Sequence, residues 1–219
     1  MSSTNPSNPF EEQNKKFSAI SLDESERGLI LISTSNLDFK LEKILKLFLV
    51  PSRTADDRLF HHLGALGSFS NKIEMVHRLG IIDNAFSDAI DALRKSRNRM
   101  AHELDESLEQ SPHVDHLDIS MKQIQKSELL SKMVSVYYDY WAKQKEQIES
   151  VPHNRAKMKE FFKDGRMKLN IIHMVLSSLL DYVYLLVDSG VDKNKIKLGL
   201  SSFDDDSKRL DALMKEARP

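Results

Sequence analysis

The chain has 219 residues, 40% of them hydrophobic and 30% charged, proportions that suit one compact soluble domain with short appendages. Thirty-two Lys and Arg against 33 Asp and Glu leave a formal charge of −1, which excludes a global positive field for nucleic acid or anionic lipid and confines such contact to a local patch. The absence of cysteine excludes disulfides, thiolate metal sites and a cysteine nucleophile. With only seven Gly and six Pro, the composition favours long helices over a turn-rich β fold. No GxGxxG, GxxxxGK[ST] or GxSxG string occurs, so the common dinucleotide, nucleoside-triphosphate and nucleophile-elbow sites have no foothold.

Residues 1–20 open on a Ser-, Asn-, Pro- and Glu-rich stretch with no signal-peptide pattern and are expected to form a flexible arm. An apolar helix follows from Asp23 to Val50, stopped by Pro51, and then a short segment, Thr54 to Leu63, with a Gly-punctuated link from Gly64 to Gly67. Ser68 or Ser70 can cap a helix through Phe69, Ile73, Val76 and Leu79 that ends at Gly80, and Asp83 or Asn84 starts the next, Ala85 to about Leu104. The acidic stretch Glu106 to Asp118 reads as an exposed connection, followed by a helix from about Lys122 to Glu149 bounded by Pro152. From Asp164-Gly165 the longest apolar helix runs to Val187; Ile171 to Val187 is interrupted by His173, Ser177, Ser178 and Asp181, which marks a buried central helix rather than a membrane span. Ser189-Gly190 closes it, the only candidate strand lies near Ile196 to Leu200, and an amphipathic helix from Asp204 to Ala217 ends the chain. The expectation is an all-α, cytoplasmic protein: an arm (1–20), a helical bundle (21–190) and a C-terminal helical tail (191–219).

The helix from Ala85 to Leu104 carries an anomaly. At about 100° per residue, Phe86, Ile90, Leu93, Met100 and Leu104 fall within roughly 40° of one line, and Arg97 falls on the same line. A guanidinium in an apolar seam must pair with a buried group or open into a cleft, because an unpaired buried charge costs several kcal/mol. His102 lies about 140° round the helix from Arg97, so Arg97, Asn98 and His102 border one groove only if the helix end bends or a second copy faces it. Read functionally, the trio is a phosphodiester site: imidazole as general base or acid on a ribose 2′-hydroxyl, guanidinium for the charged phosphorane, Asn98 to orient the phosphate, with no metal or cofactor required. Read structurally, Arg97 bridges a buried carboxylate such as Glu74, and His102 occupies a helix C-terminus, where the dipole favours it.

These residues also carry a resemblance. Gly67-Ser68-Phe69-Ser70-Asn71-Lys72-Ile73, Leu79-Gly80-Ile81-Ile82-Asp83 and Leu93 to His102, with Arg97-Asn98-Arg99-Met100-Ala101-His102 at its end, resemble the mannitol operon repressor family, whose relatives read SFSxKI…LGLI…RNxxAH. The last string is similar to the Arg-x4-6-His signature of the wider HEPN superfamily. The likeness spans roughly Asp57 to Glu103; Ser96 stands where relatives carry an apolar residue, and Ala65-Leu66 replaces the usual Pro-Leu. The resemblance implies a HEPN-like bundle with additional C-terminal helices, in which Arg and His sit late in four helices. It further implies a metal-independent endoribonuclease or RNA-binding protein of a toxin or phage-defence type, with a composite cleft across a homodimer. Arg97, His102 and Asn98 would be catalytic and Arg94, Arg99, Lys72 and Glu74 substrate-binding, with RNA and an antitoxin or regulatory protein as partners. The alternative within the same family is a non-catalytic transcriptional regulator working through protein partners.

Other clusters are read as structure. His113, Asp115, His116 and Asp118 could ligate a zinc-like ion, but no second segment supplies ligands at suitable spacing, and His61-His62 beside Asp56-Asp57 reads as solvated surface. Asp204, Asp205 and Asp206 suit the N-terminus of their own helix. Tyr137, Tyr138, Tyr140 and Trp141, near Lys132, Lys143 and Lys145, could stack bases, but Tyr137, Tyr140 and Trp141 share a helical face with Met133 and Val136, which favours packing. The most basic stretch is Arg94 to Arg99, the place for phosphate in a chain of near-zero charge.

Overall fold

The computed structural model describes residues 10–21, 24–103, 106–149 and 164–217; side chains are described for these residues except 18, 19, 140–149 and 217. Leu104 of the seam, Pro152 and the side chains of Tyr140 and Trp141 therefore lie outside the described residues. The described chain is all-α: α1 (Glu11–Ser21), α2 (Glu26–Phe48), α3 (Phe69–Arg78), α4 (Asn84–His102), α5 (His113–Ile124), α6 (Glu128–Glu149), α7 (Asp164–Asp188), a 3-10 turn (Lys193–Lys195) and α8 (Phe203–Ala217).

The pairings α2 with α4, α4 with α5, α5 with α7 and α7 with α2 close a ring, so these four helices form a bundle around one core. Leu37, Leu41 and Ile44 of α2, Phe86, Ile90 and Leu93 of α4, Leu117 and Ile124 of α5 and Ile172, Leu176 and Val183 of α7 fill it. The ends follow from local chemistry. Ser25, Ser68 and Asp83 cap α2, α3 and α4 by accepting the backbone N–H of Gly28, Asn71 and Phe86. Gly80 (φ 68°) and Gly190 (φ 84°) take the left-handed conformation just past α3 and α7, which a side chain would resist. α7 is long and apolar enough by composition to cross a membrane, but 61% of its apolar window is buried inside the protein.

Four expectations need correction. The arm does not extend to residue 20: from Phe10 onward the chain packs on the bundle, with α1 anchored by Phe10 and Phe17 in a mostly polar sequence. The exposed connection ends early, because α5 starts at His113 and buries His113, Leu117, Ser120, Met121 and Ile124 against α4 and α7. The helix expected from Lys122 to Glu149 is two helices broken at Gln125–Ser127. The break is held by Asp204 of α8, whose carboxylate accepts from the Ser127 hydroxyl (2.8 Å) and from the backbone N–H groups of Glu128 (2.7 Å) and Leu129 (2.9 Å). Asp204 thus caps α6 instead of serving only its own helix. The segment near Ile196 to Leu200 makes one isolated parallel bridge, Ile82 to Leu198, and no strand occurs among the described residues.

Candidate phosphate-binding cleft

The buried arc of α4 is broader than its large apolar residues suggested. Ala85, Ala89, Ala92 and Ser96 are buried beside Phe86, Ile90, Leu93 and Met100, because α5 approaches over the small side chains and the Ser120 hydroxyl donates to the Ala89 carbonyl at 2.8 Å. On a helical wheel this shifts the centre of burial toward Ser96 and leaves Arg97 at the arc's edge. Arg97 is exposed, and it opens into a cleft of about 330 Å³ between α2, the start of α3 and α4. Arg94 and Asn98 line the same cleft from α4, Ser68 and Ser70 from α3, and Thr34, Ser35 and Asp38 from α2.

The polar groups are ordered in layers. Arg97 Nη1 donates to Asn98 Oδ1 at 3.0 Å, which couples the two adjacent motif side chains. Arg94 is steadied by Asp91 at 2.6 Å, one turn back on α4. Lys72, although lysine, is almost fully buried behind the cleft and holds Asp38 and Glu42 at 3.0 Å each. Burial pushes the Asp38 carboxyl up; Lys72 and, more weakly, Arg97 pull it down. Lys72 therefore shapes the cleft wall from behind and does not line the cleft.

The remaining candidates fall elsewhere. Glu74 stands on the exposed side of α3, paired with Arg78 at 2.5 Å, so the expected structural bridge between Glu74 and Arg97 does not form. Arg99 points away from the cleft and pairs with Glu103 (2.9 Å) and Glu106 (2.8 Å). His102 is the exposed last residue of α4 and does not line the cleft of its own chain. The motif occupies the last two turns of α4, the second bundle helix in chain order, whereas the resemblance implied a late helix. Of the seven named residues, one cleft gathers Arg94, Arg97 and Asn98.

Ser96, the departure from the resembled pattern, is buried with its hydroxyl 2.8 Å from His116 Nδ1, and burial with a neighbouring His113 lowers the His116 pKa. His113 is buried against Glu106 at 2.8 Å. His116 thus joins α5 to α4 and His113 joins α5 to the connection before it, and no group of three or more metal-ligating side chains occurs among the described residues. Sequence reasoning missed Thr34, Ser35 and Asp38. The signal was present: Ser33-Thr34-Ser35-Asn36 is a polar run in the middle of an apolar helix.

Compared with known protein families, curated proteins and solved structures, the chain matches none.

Proposed function

We propose that the protein is a HEPN-like, metal-independent endoribonuclease or RNA-binding protein of a toxin or defence type, acting as a homodimer. The observation that carries this reading is the placement of Arg97: a guanidinium at the edge of an apolar seam, tied to Asn98 and without a carboxylate bridge among the described residues, opening into a cleft beside Arg94, Ser68 and Ser70. That constellation suits a phosphodiester. The resemblance of Arg97-Asn98 to His102 to the HEPN signature supplies the chemistry. In the proposed reaction the His102 imidazole takes the proton of a ribose 2′-hydroxyl, and the 2′-oxygen attacks the adjacent phosphorus. The P–O5′ bond breaks, the 5′-oxygen is protonated by the imidazolium or by water, and a 2′,3′-cyclic phosphate remains. Arg97 offsets the charge of the phosphorane and Asn98 orients it. Because His102 does not line its own chain's cleft, it reaches the phosphate from a second copy.

The same position of His102 favours a second reading, in which the cleft binds without cleaving and the protein is a regulator acting through protein partners. Incubation with end-labelled RNA in excess EDTA separates the two. Catalysis predicts cleavage that persists in EDTA, leaves cyclic phosphate ends and falls about 10²–10⁴-fold in His102→Ala and Arg97→Ala. Intact RNA retained by the wild type and lost by Arg97→Ala leaves an RNA-binding protein without catalysis, and RNA neither cut nor retained favours the regulator.

A further inference from the structure

A second polar cluster lies on the opposite face of α2 from the cleft, beneath α1. Lys40 is fully buried there, paired with Asp181 at 2.6 Å and donating to the Ser177 hydroxyl at 2.6 Å. Asn14 of α1 closes the cluster by donating to Asp181 at 2.9 Å, and Phe10 packs over the Lys40 ammonium (5.0 Å to the ring centroid) between Phe39 and Tyr184. One turn before Ser177, His173 is buried with its ring stacked on Phe17 of α1, centroids 3.9 Å apart. Its Nε2 lies 3.1 Å from Asn36 Oδ1, which makes Nε2 the protonated nitrogen; Nδ1 is buried without a hydrogen-bond partner. Among the described residues a second proton on this ring has no acceptor to meet. The Lys40 ammonium, of the same sign, disfavours it further.

We propose that α1 is an acid-released strap: a protonated His173 needs the water that Phe17 excludes from its face, and so detaches residues 10–21 from the bundle, uncovering Phe39, Tyr184 and the Lys40–Asp181 pair.

The energetics suit release of this element alone. An 11-residue helix is marginal in isolation, and its described apolar anchors are Phe10 and Phe17, worth about 2–3 kcal/mol each before the entropy of ordering the strap is subtracted. The groups around His173 set the direction. It meets Asn36 of α2 and Phe17 of α1 and feels the charge of Lys40 on α2, while on α1 Asn14 bonds Asp181 and Glu11, Glu12, Lys15 and Lys16 pair with one another at the surface. Along α7 itself, Asp181 answers Lys40, and Lys168 is answered by Asp118 of α5 and by Asp164. Burial first and Lys40 second push the imidazole down to about 3 from an ordinary 6.5. A depressed base holds its full contribution above the released value and loses it as pH falls, so docking weakens from about pH 6.5 downward, by up to tenfold per pH unit.

Hydrogen exchange of the full chain, followed by mass spectrometry between pH 7.5 and 4.5 and corrected for intrinsic rates, tests this. The expected result is protection of residues 10–21 at pH 7.5 that falls by up to tenfold per unit below about pH 6.5 while α2 and α7 stay protected, and a flat profile in His173→Gln. Flat protection in the wild type, an equal slope in His173→Gln, or an unprotected α1 at pH 7.5 overturns the proposal. Should His173→Gln fail to fold, NMR titration of the imidazole decides. A value well below 6.5 in the wild type that rises in Phe17→Ala upholds the strap, and an unchanged value refutes it.

Discussion

Two basic residues of the expected site, Arg97 in its catalytic set and Lys72 in its substrate-binding set, divide sharply in the structure. Lys72 is nearly inaccessible and balances Asp38 and Glu42, whereas Arg97 is exposed with Asn98 as its hydrogen-bond acceptor. Removing one partner of a fully buried ion pair costs about 3–5 kcal/mol, and Asp38 and Glu42 keep enough solvent to reduce that. Lys72→Met is therefore expected to lose roughly 2 kcal/mol in urea unfolding. Arg97→Ala should stay within about 0.5 kcal/mol of the wild type, as surface substitutions do, while losing RNA binding. Equal destabilisation by both would show that Arg97 is part of the packing. Periodicity alone could not make this division, because Lys72 and Arg97 both sit at apolar positions of their helices. What separates them is the carboxylate pair on α2, some 30 residues before Lys72 in the chain.

At the scale of elements, α4 and α5 make the most extensive pairing among the described helices, and it was the least legible. α2, α3, α4 and α7 could be read because their large apolar residues recur at helical spacing and Ser25, Ser68, Asp83, Gly80 and Gly190 punctuate them. α5 could not, because its buried face begins with His113 and includes Ser120, and its partner face on α4 is a stripe of small residues that a search for bulky hydrophobes passes over. Leu117, Met121 and Ile124, spaced four and three apart, were the available signal. α1 was hidden in the same way by Ser and Asn around only two phenylalanines. The close approach of α5 gives a direct test. Ala89→Leu forces α5 away and should cost about 1–3 kcal/mol by overpacking, whereas Ala101→Leu, on the exposed side of the same helix, should be neutral within about 0.5 kcal/mol by thermal unfolding. A neutral Ala89→Leu would mean that α5 does not rest on this face.

At the scale of the whole molecule, the cleft of one chain holds Arg94, Arg97 and Asn98 but not His102, so the proposed chemistry requires two copies. That requirement can be tested without knowing the natural RNA. Arg97→Ala and His102→Ala proteins are each inactive in the proposed dimer, because each lacks one member of both composite sites. When they are mixed and allowed to exchange subunits, half of the dimers are heterodimers. Each of these joins the intact Arg97 of one chain to the intact His102 of the other in one of its two sites. Activity should therefore return to about a quarter of the wild-type value at equal total protein. A site completed within one chain, by bending of the α4 end toward its own cleft, gives no recovery on mixing, since neither chain carries both residues. Light scattering on the same samples must then show a dimer; a strict monomer with recovered activity is not possible in this scheme. Recovery near a quarter ties the separation of Arg97 and His102 around α4 to function: the helix that keeps them apart in one chain presents them together across two.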